Sequence, residues 1–352
     1  MTPLTQTAFF SRIAIKYGAV AIGVMIVGRV VVTAGIEWWK AMNPPPPPPP
    51  TFGFGVLPEI VFPESDTPEL AYKLETPTGG LPLFDNKVSV YLMPVERPNL
   101  LALEKAKSQA EDLGFKAAPI KVSDIMYRWS KDVPLPSKLQ MFIYNGAFSM
   151  SVDWTYDSSF LQTRLLPSEP DSVDYARTYL RSAQLAPADL DSGDYNVRYL
   201  KSTGREYIET ISLSEADFLE VNLFRADIDE EHPVVTPDPD LGIVQVIFSG
   251  NEAVKITSIE YNYFPVDYNS VETYPAKSVQ QAWQELQQGG GYVANYDTRI
   301  DAVTVRRIEL GYYDTYTPQK YLQPVYVFRG DNDFIAYVEA VIPPNLETIE
   351  DN

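Results

Sequence analysis

The sequence predicts an α+β protein in which one N-terminal transmembrane helix precedes about three modules, each a single helix packed on an antiparallel β-sheet. Three observations predict this class: a long apolar run near the N-terminus, three segments with helical spacing of apolar residues, and strand-like segments after each of them. A helix with one apolar stripe covers one face of a sheet, which is the arrangement of α+β domains. The predicted boundaries are 1–43 for the cytoplasmic N-terminus and transmembrane helix, 44–51 for a polyproline spacer, 52–160 and 161–268 for the first two modules, and 269–352 for the third module with an acidic tail.

The apolar run from Tyr17 to Ile36 predicts a membrane anchor. Twenty residues at about 1.5 Å each span about 30 Å, the thickness of the hydrocarbon core. Arg12 and Lys16 precede the run, whereas the charges of Glu37 and Lys40 cancel after it. The positive-inside rule therefore predicts a cytoplasmic N-terminus and an extracytoplasmic region from 51 to 352.

Three residues of this segment are the candidate membrane contacts. Trp38 and Trp39 fit the outer headgroup level, where indole rings are enriched. Arg29 lies within the run, at a cost of roughly 2.5–3.5 kcal/mol on insertion scales, so it either snorkels or pairs with a partner helix.

A cleaved signal peptide is the alternative to a membrane anchor, since 32–34 resembles a cleavage site. Because Arg29 interrupts the apolar run just before that site, we favour an uncleaved anchor.

A run of seven prolines, Pro44 to Pro50, follows the anchor. In polyproline II geometry the run extends roughly 22 Å as a semi-rigid rod. We expect it to hold the exterior region away from the membrane, and a ligand for a proline-binding module is the alternative.

The exterior region is strongly acidic and lacks cysteine. The first fifty residues hold four of the 28 basic side chains and one of the 47 acidic ones, which leaves 24 basic against 46 acidic, a net charge of −22. This charge disfavours nucleic acid and anionic lipid as ligands, and it is compatible with cationic partners, divalent cations or simple solubility. The absence of cysteine excludes disulfides, thiol nucleophiles and cysteine metal sites.

Three segments are predicted amphipathic helices. The first runs from Asn99, its expected N-cap, to Leu113, and the second from about Asp171 to Leu185. The third begins at Ser278, where Gln281 completes a capping-box pattern, and ends before 289–291, a run of three glycines. The apolar stripes are Leu103, Ala106, Ala110 and Leu113 in the first; Val173, Ala176, Leu180 and Ala183 in the second; and Val279, Ala282, Trp283 and Leu286 in the third.

The segments around these helices predict strands, and the turn residues between them predict hairpins. Asn145-Gly146, Ser249-Gly250-Asn251 and 329–332 are turn sequences that join neighbouring strands. The predicted strands are Lys87–Leu92, Ile125–Trp129, Leu139–Tyr144, Phe148–Trp154, Tyr195–Leu200, Glu206–Ile211, Leu219–Ala226, Ile243–Phe248, Ile256–Phe264, Val303–Tyr313, Tyr321–Phe328 and Phe334–Val341.

Residues 275–343 resemble the C-terminal module of YycI-type proteins and the related PepSY-like extracytoplasmic modules. The similarity is carried by the helix SVQQAWQELQQGGGYV and two strands after it. The matching residues are Leu310, Tyr312 and Tyr313 in one strand and Leu322, Pro324, Val325, Tyr326 and Phe328 in the next. The resemblance covers about a fifth of the chain and implies a membrane-anchored regulatory protein that restrains a sensor kinase through transmembrane contacts. It carries over no functional residue.

An acidic cluster is the one candidate metal site. Asp227, Asp229, Glu231, Asp238 and Asp240 lie within fourteen residues, and hard cations such as Ca²⁺ take several carboxylate oxygens. The cluster lacks the EF-hand order, so the alternative is a charged connection between strands.

The remaining motifs favour ordinary structure over chemistry. His232 is the single histidine and lies in an acidic, proline-bounded segment, which predicts a loop and leaves no catalytic triad. Arg329-Gly330-Asp331 matches an adhesion tripeptide but falls where a turn is required. A carboxylate pair could serve a glycosidase, yet no spacing selects one among so many acids.

We therefore expect a single-pass, membrane-anchored extracytoplasmic binding protein of bacterial type, with a regulatory or scaffolding role in the cell envelope and no catalysis. Its expected partners are the membrane and an envelope or membrane protein. No cofactor is expected beyond Ca²⁺ at the acidic cluster. A structural subunit of a surface or envelope complex is the first alternative, and a carboxylate-based envelope hydrolase is the second.

Overall fold

A computed structural model describes residues 3–42, 48–64, 70–95, 101–162, 165–204, 206–342 and 346–347. The chain divides into two compact units, Met1–Pro49 and Pro50–Asn352. Most of the proline run (44–47), the expected N-cap Asn99 and the acidic tail (348–352) lie outside the described residues.

The described elements confirm a mixed α+β chain with one long N-terminal helix. In order they are α1 (Pro3–Met42), β1 (Leu57–Pro58), β2 (Ala71–Leu74), β3 (Lys87–Leu92), α2 (Ala102–Asp112), β4 (Ile120–Lys121), β5 (Met126–Lys131), β6 (Ser137–Phe142), β7 (Phe148–Val152), α3 (Glu169–Ser182), α4 (Ala188–Asp191), β8 (Tyr195–Ser202), β9 (Tyr207–Thr210), β10 (Phe218–Leu223), β11 (Val234–Val235), β12 (Val244–Ser249), β13 (Ile256–Tyr261), β14 (Asp267–Pro275), α5 (Val279–Gln287), β15 (Tyr292–Asn295), β16 (Ala302–Tyr313), β17 (Tyr321–Gly330), β18 (Ile335–Glu339) and β19 (Leu346–Glu347). Each predicted strand has a counterpart among them.

Helix α1 contains a candidate membrane span from Ile15 to Lys40. This segment has 26 residues, its apolar 18-residue window has a mean hydropathy of 2.2, and no part of that window is buried. At about 1.5 Å per residue it is about 39 Å long, more than a hydrocarbon core requires. The helix is therefore long and apolar enough to cross a membrane.

The larger sheet has nine strands in the order β4-β5-β6-β7-β13-β12-β10-β8-β9, and all neighbours are antiparallel. Helices α2 and α3 supply side chains to the core on one face, among them Ala106, Ala110, Val173 and Leu180. The Ser168 side chain caps α3 by accepting a hydrogen bond from the backbone N–H of Asp171.

The smaller sheet has eight strands. Its main order is β11-β16-β17-β18-β15; β2 also pairs with β16, and β3 pairs with both β14 and β17. Helix α5 packs on one face through Val279, Ala282, Trp283 and Leu286. The predicted capping box is present, since the side chains of Ser278 and Gln281 each accept a hydrogen bond from the other's backbone N–H. Strands β1 and β19 form a separate parallel pair.

The division into three modules is not confirmed. Strand β7 of the first predicted module pairs with β13 of the second, with Met150 opposite Ile259, so both belong to one sheet. Helices α2 and α3 consequently share one core. Strand β3, predicted with the first module, instead pairs with β14 and β17 of the smaller sheet. Pairing of this kind satisfies backbone N–H and C=O groups that separate modules would leave at open edges.

A small apolar cluster joins the two sheets. It contains Ala147, from the turn between β6 and β7, together with Tyr91, Tyr312 and Leu322 of the eight-stranded sheet. Tyr91 and Tyr312 meet edge to face, with ring centroids 5.5 Å apart. Two clefts lie beside this junction.

Candidate functional site

The predicted membrane residues all lie on α1. Trp38 and Trp39 are 67% and 62% exposed, as interfacial rings at the end of a span would be. Arg29 is exposed and lies well inside the span; its carbonyl accepts a hydrogen bond from the Thr33 hydroxyl at 2.9 Å. Between Tyr17 and Ile36 the helix thus carries one charged side chain, that of Arg29.

The five predicted calcium ligands lie in the connection between β10 and β12, and the structure does not gather them. Strand β11 interrupts this connection, so Asp227 and Asp229 precede it and Asp238 and Asp240 follow it. Among the described residues, no group of three or more acidic or histidine side chains is placed to hold a metal ion. Calcium binding stays a prediction from the sequence.

Two of these acids line a cleft of about 570 Å³ between the two sheets, here called the inter-sheet cleft. One wall is formed by 194–196 at the start of β8 and by 224–227 after β10. The opposite wall is formed by the turn between β17 and β18 together with Tyr337, and the remaining lining includes 233–236 around β11. The cleft is within the size range of sites that hold small ligands or peptide side chains.

The inter-sheet cleft has unbalanced negative charge. Four aspartates line it, Asp194, Asp227, Asp240 and Asp333, and none of them forms an ion pair with a described cation. Partial desolvation, then the nearby carboxylates of Asp238 and Glu209, raise the pKa of Asp240. The lining is therefore better suited to a cation than to an anion.

The two arginines of the lining have carboxylate partners. Arg329 donates through Nε to Glu309 at 2.9 Å. Arg225 is fully buried and donates from Nε to Asp314 at 2.9 Å and from its other nitrogens to Asp189 and to the carbonyl of Phe264. Their charges are thereby offset by groups other than the four cleft aspartates.

Close backbone approaches position the loop that carries Asp240. A Cβ on Gly242 would lie 2.3 Å from the carbonyl oxygen of Leu223, so only glycine fits there. The Gly242 N–H donates to the side chain of Asn222 at 3.2 Å, and the Asn196 amide donates to the Asp240 carbonyl at 3.2 Å. These bonds hold the loop against β8 and β10.

A buried ionic network lies next to the cleft and ties the two sheets together. Arg225 follows β10 of the larger sheet, Asp314 follows β16 of the smaller sheet, and Asp189 lies on α4. Tyr263 and Tyr268 donate their hydroxyls to Asp189 at 2.9 and 2.8 Å. Burial acts to lower the pKa of Arg225, but Asp314 and Asp189 outweigh it and hold that pKa above its ordinary value.

Sequence reasoning missed this network. The bonds of Arg225 join residues that are 36 to 89 positions apart along the chain, and no local pattern marks them. The available signal was weak: Arg225 and Asp314 each directly follow an apolar strand segment.

Tyr337 borders the cleft and has an unpartnered polar atom. Its side chain is fully buried, and its hydroxyl has no hydrogen-bond partner among the described residues. It packs on the face of β18 opposite α5, with Tyr313 and Val235, and its ring centroid lies 5.9 Å from that of Tyr313. Burial raises its pKa, and the nearby charge of Arg329 opposes the rise.

A second cleft of about 420 Å³ is more apolar. It is lined by parts of α2 and α3 and by 261–265, and Tyr261 donates its hydroxyl to the Leu185 carbonyl at 3.1 Å. Arg181 at its border pairs with Asp191.

The other motifs occupy the places expected of loops and turns. His232 lies in a tight loop paired with Ile228, and its ring contacts Tyr312 at a centroid distance of 6.2 Å. In the adhesion-like tripeptide, Arg329 and Gly330 end β17, and the Asp331 carboxylate pairs with Arg306 at 2.7 Å. Both therefore make structural contacts.

No family model matches the chain, and no curated protein matches it. Among solved structures, an uncharacterized protein from Eubacterium rectale is similar over 73% of this chain and 84% of its own, with 10% sequence identity and a TM-score of 0.36. This likeness is too low to carry an argument, and the YycI-type resemblance stays a prediction.

Proposed function

We propose that this chain is a single-pass membrane-anchored binding protein whose C-terminal region, 51–352, lies outside the cytoplasm and acts in the cell envelope without catalysis. The apolar span Ile15–Lys40 is the observation that carries the proposal, because it is long and apolar enough to cross a membrane and none of its apolar 18-residue window is buried. The basic residues before the span and their balance after it support a cytoplasmic N-terminus.

A regulatory or scaffolding role follows from the kind of site the exterior region offers. The inter-sheet cleft is concave, charged and bordered by hydrogen-bonded loops, which suits recognition of a partner protein. We also propose that 269–352 is a helix-on-sheet module related to that of YycI-type regulators. The packing of α5 on the smaller sheet supports this part of the proposal.

Two measurements test this function. Protease added to intact spheroplasts is expected to remove 51–352 and to spare the N-terminus; protection of the whole chain would contradict the orientation. Purified protein is expected to show no hydrolysis of envelope polymers. Hydrolysis that is lost on replacing one particular carboxylate would replace the binding proposal with the enzymatic alternative.

A structural subunit is the second candidate, and one surface favours it. Strand β9 forms an edge of the nine-stranded sheet, and Ile208 on it and Ile211 just beyond it are 48% and 100% exposed. Exposed apolar edges are sites of strand pairing with other chains. A permanent subunit would co-purify with its partner in fixed stoichiometry after mild detergent extraction, whereas a transient regulator would not.

A further inference from the structure

The negative charge of the inter-sheet cleft favours a positively charged ligand. Asp194, Asp227, Asp240 and Asp333 are exposed to solvent, and none of them forms an ion pair with a described lysine or arginine. An incoming cation would therefore gain attraction without breaking an ion pair of this protein.

Tyr337 provides an independent reason to expect a ligand. A buried hydroxyl without a hydrogen bond is costly, and such groups in native proteins usually mark a bound water or ligand. Tyr337 shares a face of β18 with Ile335, and both residues line the cleft, so an entering N–H group could donate to the Tyr337 hydroxyl. The site thus combines carboxylates with one unused hydroxyl acceptor.

The apolar part of the lining indicates which kind of cation fits the cleft. Val234, Val235, Ile335, Phe224 and Pro233 give apolar surface between the charged groups. Lysine and arginine place three or four methylene groups before their charge, so their stems can pack on apolar walls while the head reaches carboxylates. A divalent metal fits less well, since no three acidic or histidine side chains among those described converge.

We propose that the inter-sheet cleft binds a lysine or arginine side chain presented by an extended peptide segment of the partner protein. The volume of about 570 Å³ accommodates such a side chain with its flanking backbone. This inference rests on the proposed binding function and names the chemistry of the partner.

Binding of synthetic peptides to the full chain in detergent tests the proposal. The probe is a fluorescent hexapeptide of glycine and serine with two central lysines; its partner is the same peptide with both lysines acetylated. We expect the lysine peptide to bind at least ten-fold more tightly than the acetylated one, and to weaken as salt rises. Equal binding of the two peptides, or no binding of either, would overturn the proposal.

Variants assign the binding to the cleft. The double variant Asp227→Asn with Asp240→Asn is expected to lose at least ten-fold in affinity, and Tyr337→Phe about three-fold, with melting curves that show a folded protein. Asp112→Asn with Asp174→Asn, which changes two exposed acids on α2 and α3, is the matched control and is expected to bind like the unmodified protein. Unchanged affinity in the cleft variants would place the site elsewhere and refute the proposal.

Two further experiments identify the source of the bound cation and distinguish failure of this inference from failure of the proposed binding function. Spermidine that binds while the lysine peptide does not would indicate a free polyamine site and overturn the peptide assignment. If the cleft variants still capture the same partner from solubilised membranes as the unmodified protein, the inference fails and the binding function stands. If even the unmodified protein captures no partner, the binding function fails as well.

Discussion

The Nε atom of Arg225 lies 2.9 Å from Oδ2 of Asp314, and neither side chain has more than 1% of its surface exposed. The two residues follow strands of different sheets and are 89 positions apart. Asp189 and the Phe264 carbonyl take the remaining bonds of the guanidinium, whereas Oδ1 of Asp314 has no partner among the described residues. This pair therefore fixes the relation between the sheets that form the inter-sheet cleft.

Replacing one partner of this pair is expected to destabilise the protein strongly. Arg225→Met leaves two carboxylates with no buried cation, and breaking a buried pair in this way costs about 3–5 kcal/mol. Urea unfolding of the full chain in mild detergent, followed by tryptophan fluorescence, measures the loss. Arg299→Met removes a surface pair with Asp297 and is expected to leave the urea midpoint unchanged. Equal effects of the two variants would show that the buried network does not hold the sheets together.

The helix ends and hairpin turns of this chain could be predicted from sequence because their causes are local. The capping box at Ser278 forms as expected, and Gly146 adopts φ +76° in the turn between β6 and β7. Such signals lie within four residues and depend on backbone conformation and nearby hydrogen bonds alone.

The assembly of strands into two sheets could not be predicted in the same way. Periodicity shows which face of β7 or β3 is apolar but not which distant strand lies beside it. Strand β14 was missed because most of its residues are polar and solvent-accessible, so it lacks the apolar alternation of a half-buried strand. The inter-sheet cleft could not be predicted either, because its walls come from strands of the two sheets.

Trp283 is expected to contribute much of the stability of the α5 core. It is 7% exposed and lies between Phe328 and Tyr72, at centroid distances of 5.9 and 6.2 Å. Trp283→Ala removes a buried indole, which typically costs about 3–5 kcal/mol. Gln284→Ala, on the exposed face of the same helix, is the matched control and is expected to change stability by less than about 0.5 kcal/mol. A thermal melt that does not separate the two variants would contradict the packing of α5 on the smaller sheet.

Arg29→Leu is expected to insert into membranes at least as well as the unmodified protein. A guanidinium within the hydrocarbon costs roughly 2.5–3.5 kcal/mol on insertion scales, and leucine removes that cost. The fraction that resists alkaline extraction from membranes measures insertion. Reduced insertion would mean that a partner helix stabilises Arg29 in the membrane. Loss of partner capture by a variant that still inserts would lead to the same conclusion.

Glu339 is expected to make the stability of the region 51–352 depend on pH. Its carboxylate accepts a hydrogen bond from the Ile60 N–H, and burial raises its pKa to about 7, although this bond and Lys277 oppose the rise. Glu59 and Glu285 also face it and act in the same direction as burial.

Because this pKa lies above the ordinary value of about 4.5, the native state keeps a proton that the unfolded chain has already lost. The stabilisation from Glu339 is thus complete below about pH 4.5 and disappears as the pH rises through about 7. The loss of this stabilisation amounts to at most roughly 3 kcal/mol, since each pKa unit corresponds to about 1.4 kcal/mol.

The variant Glu339→Gln keeps an acceptor for Ile60 and cannot ionise. Its urea midpoint relative to the unmodified protein is therefore expected to rise between pH 5 and pH 8. Glu111→Gln, an exposed residue on α2, controls for the change in net charge and is expected to show no such trend. If the difference between Glu339→Gln and the unmodified protein is the same at pH 5 and pH 8, Glu339 does not titrate in this range and the proposed coupling is absent.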